Sequence, residues 1–361
     1  MTDGPVRFGY VGCGFMAQNV HLPNFTALGG CQVVALAETR PKLARLVAER
    51  FGIPRVYRDH RELAEDPEIE AVGVSAAFDV QGEIAADLLR AGKHVFMEKP
   101  MALSLAQADR ILAAEREGNA RLTVAYNKRY DPGNELARAT IAEWRASEDK
   151  GKVLYARSHC FTGNWLAGLD TSTMITTDEP AQPLPDRFEN LPDWMPEDAG
   201  RDYVLYLQNW THNINLLRYL LDTGDSTHVR AVDLEPDGLC MRGVVIFEID
   251  GIRAAMESAV IEHHYLDDHT CIYFERGWVH VHAPPLFVRP TQSRVEIYEG
   301  GEHSAFHYPV ARPLEAWTYR EEAAEFIESV RSGTPTRSGA ADTRADVHFF
   351  EDVFRHRLGL S

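Results

Sequence analysis

The chain is poor in the features that mark several protein classes. Its five cysteines, Cys13, Cys31, Cys160, Cys240 and Cys271, show no CxxC spacing and are odd in number. A disulfide framework or a structural zinc site is therefore not expected, and the thiols read as reduced packing residues. No apolar run is long enough to cross a bilayer. Residues 1–5 carry no basic and apolar leader, so the expectation is a cytoplasmic protein. Positive charge is scarce: 37 Lys and Arg against 54 Asp and Glu give a net charge of −17. Nucleic acid and anionic membrane, which both need a positive field, are excluded as partners on that ground. There is no nucleophile elbow, and no His, Asp or Glu set has metal-ligand spacing, so no metal is expected.

What remains is an ordinary globular composition, 45% hydrophobic and 25% charged over 361 residues, which is enough for two domains. Up to about residue 126, short apolar runs at 6–11, 32–37, 71–75, 94–97 and 122–125 alternate with helical patterns. That alternation predicts a doubly wound parallel sheet. Thr39 and Pro41 read as the cap and first turn of one helix, with Gly52 ending it. Ser104 and Gln107 read as a capping box for another that runs to about Gly118. Beyond residue 150 the pattern changes. A strand is expected at 152–160, a helix at 207–221, an antiparallel meander over about 229–308 and a helix at 315–331. Segment 161–205 settles into neither period. It holds nine acidic residues, two arginines and five prolines, and a loop that long is expected to serve a function, here as a lid.

The first strand runs into Gly12-Cys13-Gly14-Phe15-Met16-Ala17, the dinucleotide fingerprint with alanine in the third place. Gly12 permits a tight turn, Gly14 lets a pyrophosphate approach the backbone, and Ala17 lets helix pack on sheet. Glu38, at the end of the second strand, can accept from both ribose hydroxyls of NAD and would repel the extra phosphate of NADP. Arg40 could hold that phosphate but reads as a solvated surface residue, so NAD is expected ahead of NADP. Glu98-Lys99-Pro100 follows the apolar run at 94–97, where strand ends open on the ligand crevice, and a lysine there can stabilise a developing oxyanion.

The fingerprint, Glu98-Lys99-Pro100, His21-Leu22-Pro23 and Asn127-Lys128-Arg129-Tyr130 together resemble the Gfo/Idh/MocA oxidoreductases, relatives of glucose-fructose oxidoreductase and inositol dehydrogenase. The resemblance implies a Rossmann domain at 1–126. It also implies a second α+β domain at 127–361, with a large open-faced, mostly antiparallel sheet that binds substrate and makes a homodimer or homotetramer. The implied activity is hydride transfer between a sugar-like hydroxyl or ketone and NAD. The residues implied at the cofactor are Gly12, Gly14, Phe15, Met16, Ala17, Glu38, Arg40, Ala76, Glu98, Lys99 and Asn127. Those implied at the substrate are Lys99, Tyr126, Arg129, Trp165, Gln208, Asn209 and His212.

His212 falls on the family's catalytic histidine, and an imidazole is a suitable general base. Gln208 stands one turn earlier, where the family has an aspartate, and Asn215 occupies a second acidic position. A neutral amide can orient an imidazole but cannot balance its charge, which shifts the burden to Lys99. After the run at 71–75, where the family has Pro-Asn and then a histidine, this chain has Ala77-Phe78 and then Gln81. His263, His264 and Tyr265 form a polar cluster that reads as strand end or subunit interface as readily as substrate contact. Substrate is expected to lie between nicotinamide, Lys99 and the helix of His212. The local charge of segment 161–205 suits a neutral or cationic substrate, such as an amino sugar or an aminoglycoside-like compound. Two rival readings are a redox-neutral lyase or hydrolase that uses NAD transiently, and a non-catalytic dinucleotide sensor, which the loss of aspartate at position 208 would favour.

Overall fold

The computed structural model describes residues 4–180, 185, 187–236, 240–262, 266–314 and 316–360. His263, His264 and Tyr265 lie outside the described residues. The chain forms two compact units assembled from discontinuous stretches: Met1–Ala125, Asp170–Glu197 and Tyr319–Val347 in the first, Tyr126–Leu169, Asp198–Thr318 and His348–Ser361 in the second. The first boundary falls after Ala125, and two later stretches return to the N-terminal unit.

In the first unit, strands β1 (Val6–Val11), β2 (Cys31–Ala37), β3 (Arg55–Tyr57), β4 (Ala71–Val74), β5 (His94–Met97) and β6 (Leu122–Val124) form a sheet in the order β3-β2-β1-β4-β5-β6. Every neighbouring pair is parallel. This is the doubly wound order, in which ligands bind beyond the carboxyl ends of the central pair, here β1 and β4, where the strand order reverses. A short π-helical turn, Ala17–His21, follows β1, and then come α1 (Leu22–Thr26), α2 (Pro41–Phe51), α3 (His60–Ala64), α4 (Gln81–Arg90) and α5 (Leu105–Glu117). Ser104 caps α5 as expected, its Oγ accepting from Gln107 N at 3.2 Å. The Gln107 side chain, however, accepts from Leu103 N rather than completing a box on Ser104. Gly52 ends α2 in the left-handed region at φ 66°.

The second unit holds α6 (Pro132–Ser147), β7 (Val153–Thr162), α7 (Glu197–Leu221), β8 (Thr227–Pro236), β9 (Met241–Ile249), β10 (Ile252–Val260), β11 (Asp267–Phe274), β12 (Gly277–His282), β13 (Arg294–Glu299) and β14 (Ala305–His307). Helices α8 (Thr318–Ser332) and α9 (Ala340–Arg357) close the chain. The eight strands pair in the order β14-β13-β12-β11-β7-β10-β9-β8, with only β7 and β10 parallel. The expected meander is present, but β7 is inserted into its middle.

Strand alternation gives this sheet two distinct faces. Ser158, Ser258 and Asp268 point to the helices, bonding Asn213, Tyr206 and Lys128. On the other face a row of rings runs Tyr155, Tyr273, Trp278, Tyr298, Phe306, with Trp278 and Tyr298 stacked at 4.2 Å. No helix of the described residues is long and apolar enough to cross a membrane.

Candidate functional site

The turn after β1 has the backbone that its sequence requires. Gly12 sits at φ 94°, and a Cβ there would lie 2.3 Å from the carbonyl oxygen of Ser75, at the end of β4. No other residue fits. Gly14 is the opposite case, because nothing lies within 4 Å of where its Cβ would be. That open space is what a pyrophosphate needs at the head of a helix. Phe15 and Met16 start the following turn, and Ala17 is fully buried against the sheet.

Glu38 reaches back to the same loop. It accepts from Cys13 N at 2.8 Å and from Arg40 N at 3.1 Å, and the Arg40 guanidinium grips both carboxylate oxygens at 2.9 Å. Burial pushes its carboxyl up, but Arg40 and the Cys13 N–H outweigh that and hold it below the usual range. Arg40 is thus not the solvated residue that its local sequence suggests.

The start of α2 brings a second correction. Thr39 does not cap this helix; Arg40 occupies the cap position without a side-chain bond, and the Thr39 hydroxyl donates to Glu38. The orphan N–H groups of Lys42 and Leu43 are taken by the Glu179 carboxylate at 2.9 and 2.8 Å, from 136–137 residues further along the chain. Asp178 pairs with Lys42 Nζ at 2.5 Å. The same strap is held to the turn after β1. Gln18 donates to Ile175 O at 3.0 Å and accepts from Ile175 N at 2.8 Å, while the Ile175 side chain packs on the core of the first unit. The stretch of the acidic segment from 170 to 180 is therefore part of the dinucleotide domain.

At the end of β5, Glu98 accepts from His21 Nε2 at 2.7 Å and from Lys99 N at 3.1 Å. Gln81, at the head of α4, donates to the carbonyls of Glu98 at 3.2 Å and Pro100 at 2.7 Å. It straps down the turn that carries Lys99. Gln81, a departure from the family pattern in sequence, thus holds the backbone on both sides of Lys99. Ala76 follows β4 in the half-buried loop beside Gly12.

In the second unit, α7 buries most of its circumference but leaves Leu205, Gln208, Asn209 and His212 half-buried along one stripe. His212 meets the ring of Tyr126 edge-on at 5.7 Å, and the Tyr126 hydroxyl bonds Thr211 at 2.7 Å. Gln208 donates to Asn209 Oδ1 at 2.8 Å, and Asn209 turns back to Leu205 O and Cys240 Sγ. Asn127, Lys128 and Arg129 are buried. Asn127 donates to Thr318, Lys128 pairs with Asp268, and Arg129 donates to Asn215 at 2.7 Å. The structure uses this motif to tie the interior of the second unit together. Trp165 is exposed, its ring 6.0 Å from that of Phe287.

The sequence reading missed Gln18, the His21–Glu98 pair and Glu179. His21 and Glu98 each lie in a motif already singled out, but their pairing across 77 residues has no local signal. Glu179 was visible only as one charge among nine.

Comparison with known proteins agrees with this geometry. Residues 6–126 match the family model described as an oxidoreductase family with an NAD-binding Rossmann fold, GFO_IDH_MocA. Myo-inositol 2-dehydrogenase from Thermotoga maritima is 31% identical over 126 residues, which is 35% of this chain and 37% of that protein. The match thus spans little more than a third of the relative's length. Two crystal structures share the fold across 98% of both chains. They are aldose-aldose oxidoreductase from Caulobacter crescentus complexed with glycerol (19% identity, TM-score 0.75) and KijD10, a 3-ketoreductase from Actinomadura kijaniata in complex with NADP (20%, 0.71). Over residues 6–126, the chain is similar to the Gfo/Idh/MocA oxidoreductases.

Proposed function

We propose that this protein is an NAD-dependent oxidoreductase that transfers hydride between a sugar-like secondary hydroxyl or ketone and nicotinamide. The observation that carries this reading is the pairing of open space over Gly14 with a carboxylate, Glu38, held at the edge of the same loop. Gly12, Gly14 and Ala17 would hold the pyrophosphate and Glu38 the adenosine ribose. Bound there, the dinucleotide supplies the hydride acceptor or donor. In the oxidative direction a ring nitrogen of His212 takes the hydroxyl proton, and Lys99 Nζ donates to the oxygen as negative charge develops. Gln208, one turn before His212 and bonded to Asn209, adds no charge to the site.

Two acids support NAD over NADP. Glu38 faces the ribose position, and its charge is already matched by Arg40, which leaves that guanidinium engaged. Glu179 lies close enough to raise the Arg40 pKa further and fills the α2 N-terminus, a natural anchor for a 2′-phosphate. Dissociation constants measured for both dinucleotides should show tighter NAD binding. Glu38→Ala and Glu179→Ala should each narrow the gap by relieving repulsion. Tighter NADP binding by the wild type would refute the preference.

The substrate class extends from the same acidic stretch. We infer a neutral or cationic substrate, with an amino sugar or aminoglycoside-like compound as the sharp version, because an acidic rim attracts cations and repels sugar acids and phosphates. Asp178 and Glu179 are spent on α2, so the remaining acids of the segment must supply the field. Steering of a cation weakens as salt shortens the Debye length to about 8 Å. For an amino sugar, kcat/KM should fall with ionic strength. A flat profile, or better turnover of sugar acids, would contradict the inference.

The aromatic row on the second sheet, half-buried except for the exposed Phe306, is an apolar surface suited to a subunit contact. A homodimer or homotetramer through that face is the usual solution. Light scattering at micromolar concentration should give a multiple of the 40.6 kDa chain mass; a monomer would count against this.

A further inference from the structure

The uncovered face of the second sheet carries a polar cluster beside its aromatic row. Four histidines and two acids from four adjacent strands meet there. His159 on β7 stands directly across from Glu257 on β10 and from His269 on β11, and His269 stands across from His282 on β12. His280, two residues before His282, joins them. The rings of His159 and His269 stack at 4.5 Å, His269 and His280 lie 5.0 Å apart, and His280 and His282 lie 4.0 Å apart. Imidazoles packed this closely cannot all be cations, so they present lone pairs.

The hydrogen bonds decide which nitrogens are presented. His159 Nδ1 meets the Glu257 carboxylate at 2.6 Å, which engages that nitrogen and leaves Nε2 as the one available to a metal. That Nε2 is buried, has no hydrogen-bond partner among the described residues, and lies 3.4 Å from Asp267 Oδ2. His269 repeats the arrangement: its Nδ1 is engaged by His280 at 3.2 Å, and its Nε2 points to Asp267 Oδ1 at 3.8 Å. Two imidazole Nε2 atoms thus converge on one carboxylate, and each ring is oriented through its other nitrogen. Histidines that bind metals are held in just this way.

We propose that His159, Asp267 and His269 form a binding site for a divalent transition metal ion such as Zn2+, with Glu257 and His280 orienting the two imidazoles. One ligand atom from each of the three lies within 4.8 Å of the others. Bonds of about 2.0–2.2 Å in a tetrahedral shell put ligand atoms roughly 3.3 Å apart. The His159–Asp267 separation already meets that, and the half-exposed Asp267 has room to turn toward His269. Two imidazoles and one carboxylate leave a coordination position for water, and the borderline ligand set favours zinc, cobalt or nickel over calcium or magnesium. Linear spacing conceals the site, because one ligand lies more than 100 residues from the other two. It sits on the face opposite the one that packs against α7, so its occupancy does not depend on the proposed oxidoreductase chemistry.

The test uses the full chain without a histidine tag, stripped with chelator and dialysed against micromolar Zn2+ or Co2+. Elemental analysis should find one ion per chain, and bound Co2+ should show visible ligand-field absorption of a low-symmetry site. Asp267→Asn, which conserves volume, and His269→Ala should each weaken binding by tenfold or more. His60→Ala, which removes a histidine paired with Asp87 elsewhere, should bind like the wild type. NAD affinity is measured in every sample as a check on folding. Absence of a stoichiometric ion from the wild type, or equal binding by Asp267→Asn and His269→Ala, would overturn the site.

Discussion

Replacing Lys99 by alanine should lower kcat by about a hundredfold or more, the scale for losing one preorganised donor to a developing oxyanion, with little change in NAD affinity. The lysine follows β5, where the sheet opens on its ligand crevice, and its backbone is held from two directions. Glu98 accepts from the Lys99 N–H, and Gln81 bonds the carbonyls on either side of the lysine. Gln81→Leu should therefore act through Lys99. It should lower kcat by roughly tenfold, the smaller loss expected when a donor is displaced rather than removed, and leave KM for NAD nearly unchanged. Steady-state kinetics paired with NAD titration would check both. A Lys99→Ala enzyme that retains most of its turnover would remove the lysine from the chemistry.

Replacing Glu322 by glutamine should stabilise the protein at neutral pH. Glu322 is fully buried on α8, and neither of its oxygens has a hydrogen-bond partner among the described residues. Burial, with a smaller push from Glu98 and Glu325, raises its pKa well above the ordinary 4.5. The native state therefore keeps a proton that the unfolded chain releases above pH 4.5. With more protons bound in the native state, stability falls as pH rises, by about 1.4 kcal/mol per unit. The cost grows with pH until the folded group itself ionises. Glutamine has no proton to hold, so Glu322→Gln should melt higher than the wild type at pH 7, and the difference should close toward pH 4.5. Equal melting temperatures across that range would show that the carboxyl is not held neutral.

The parallel sheet was legible because both of its faces are covered, which makes its strands continuous apolar runs; β1 and β5 begin and end where those runs do. β3 escaped notice at three residues, none of them fully buried. The first turns of α7 were hidden because Glu197, Asp198, Arg201 and Asp202 mask the apolar positions, and the helix begins ten residues before its apolar pattern does. α9 was overlooked although Val347, Phe350 and Phe354 recur at helical spacing and are buried. In the candidate site, the fingerprint turn, Glu38 and the Lys99 turn follow β1, β2 and β5 in turn. What sequence could not show were the long-range contacts. The cap of α2 comes from Glu179 rather than Thr39, and Arg40 is turned inward by Glu38. Arg129 is consumed by Asn215. Each of these depends on a partner set by tertiary packing, which local spacing does not encode.

The proposal of net hydride transfer to NAD is tested most directly by incubating the protein with NAD and a panel of neutral sugars, polyols and amino sugars deuterated at their carbinol carbons. NADH absorbance and product mass are then followed together. Hydride transfer predicts reduced nicotinamide carrying deuterium, in equal amount to a ketone product, and loss of both signals in Lys99→Ala. Substrate conversion without accumulation of reduced cofactor would contradict it in favour of a redox-neutral reaction, and NAD binding without any conversion across the panel would contradict it in favour of a sensor.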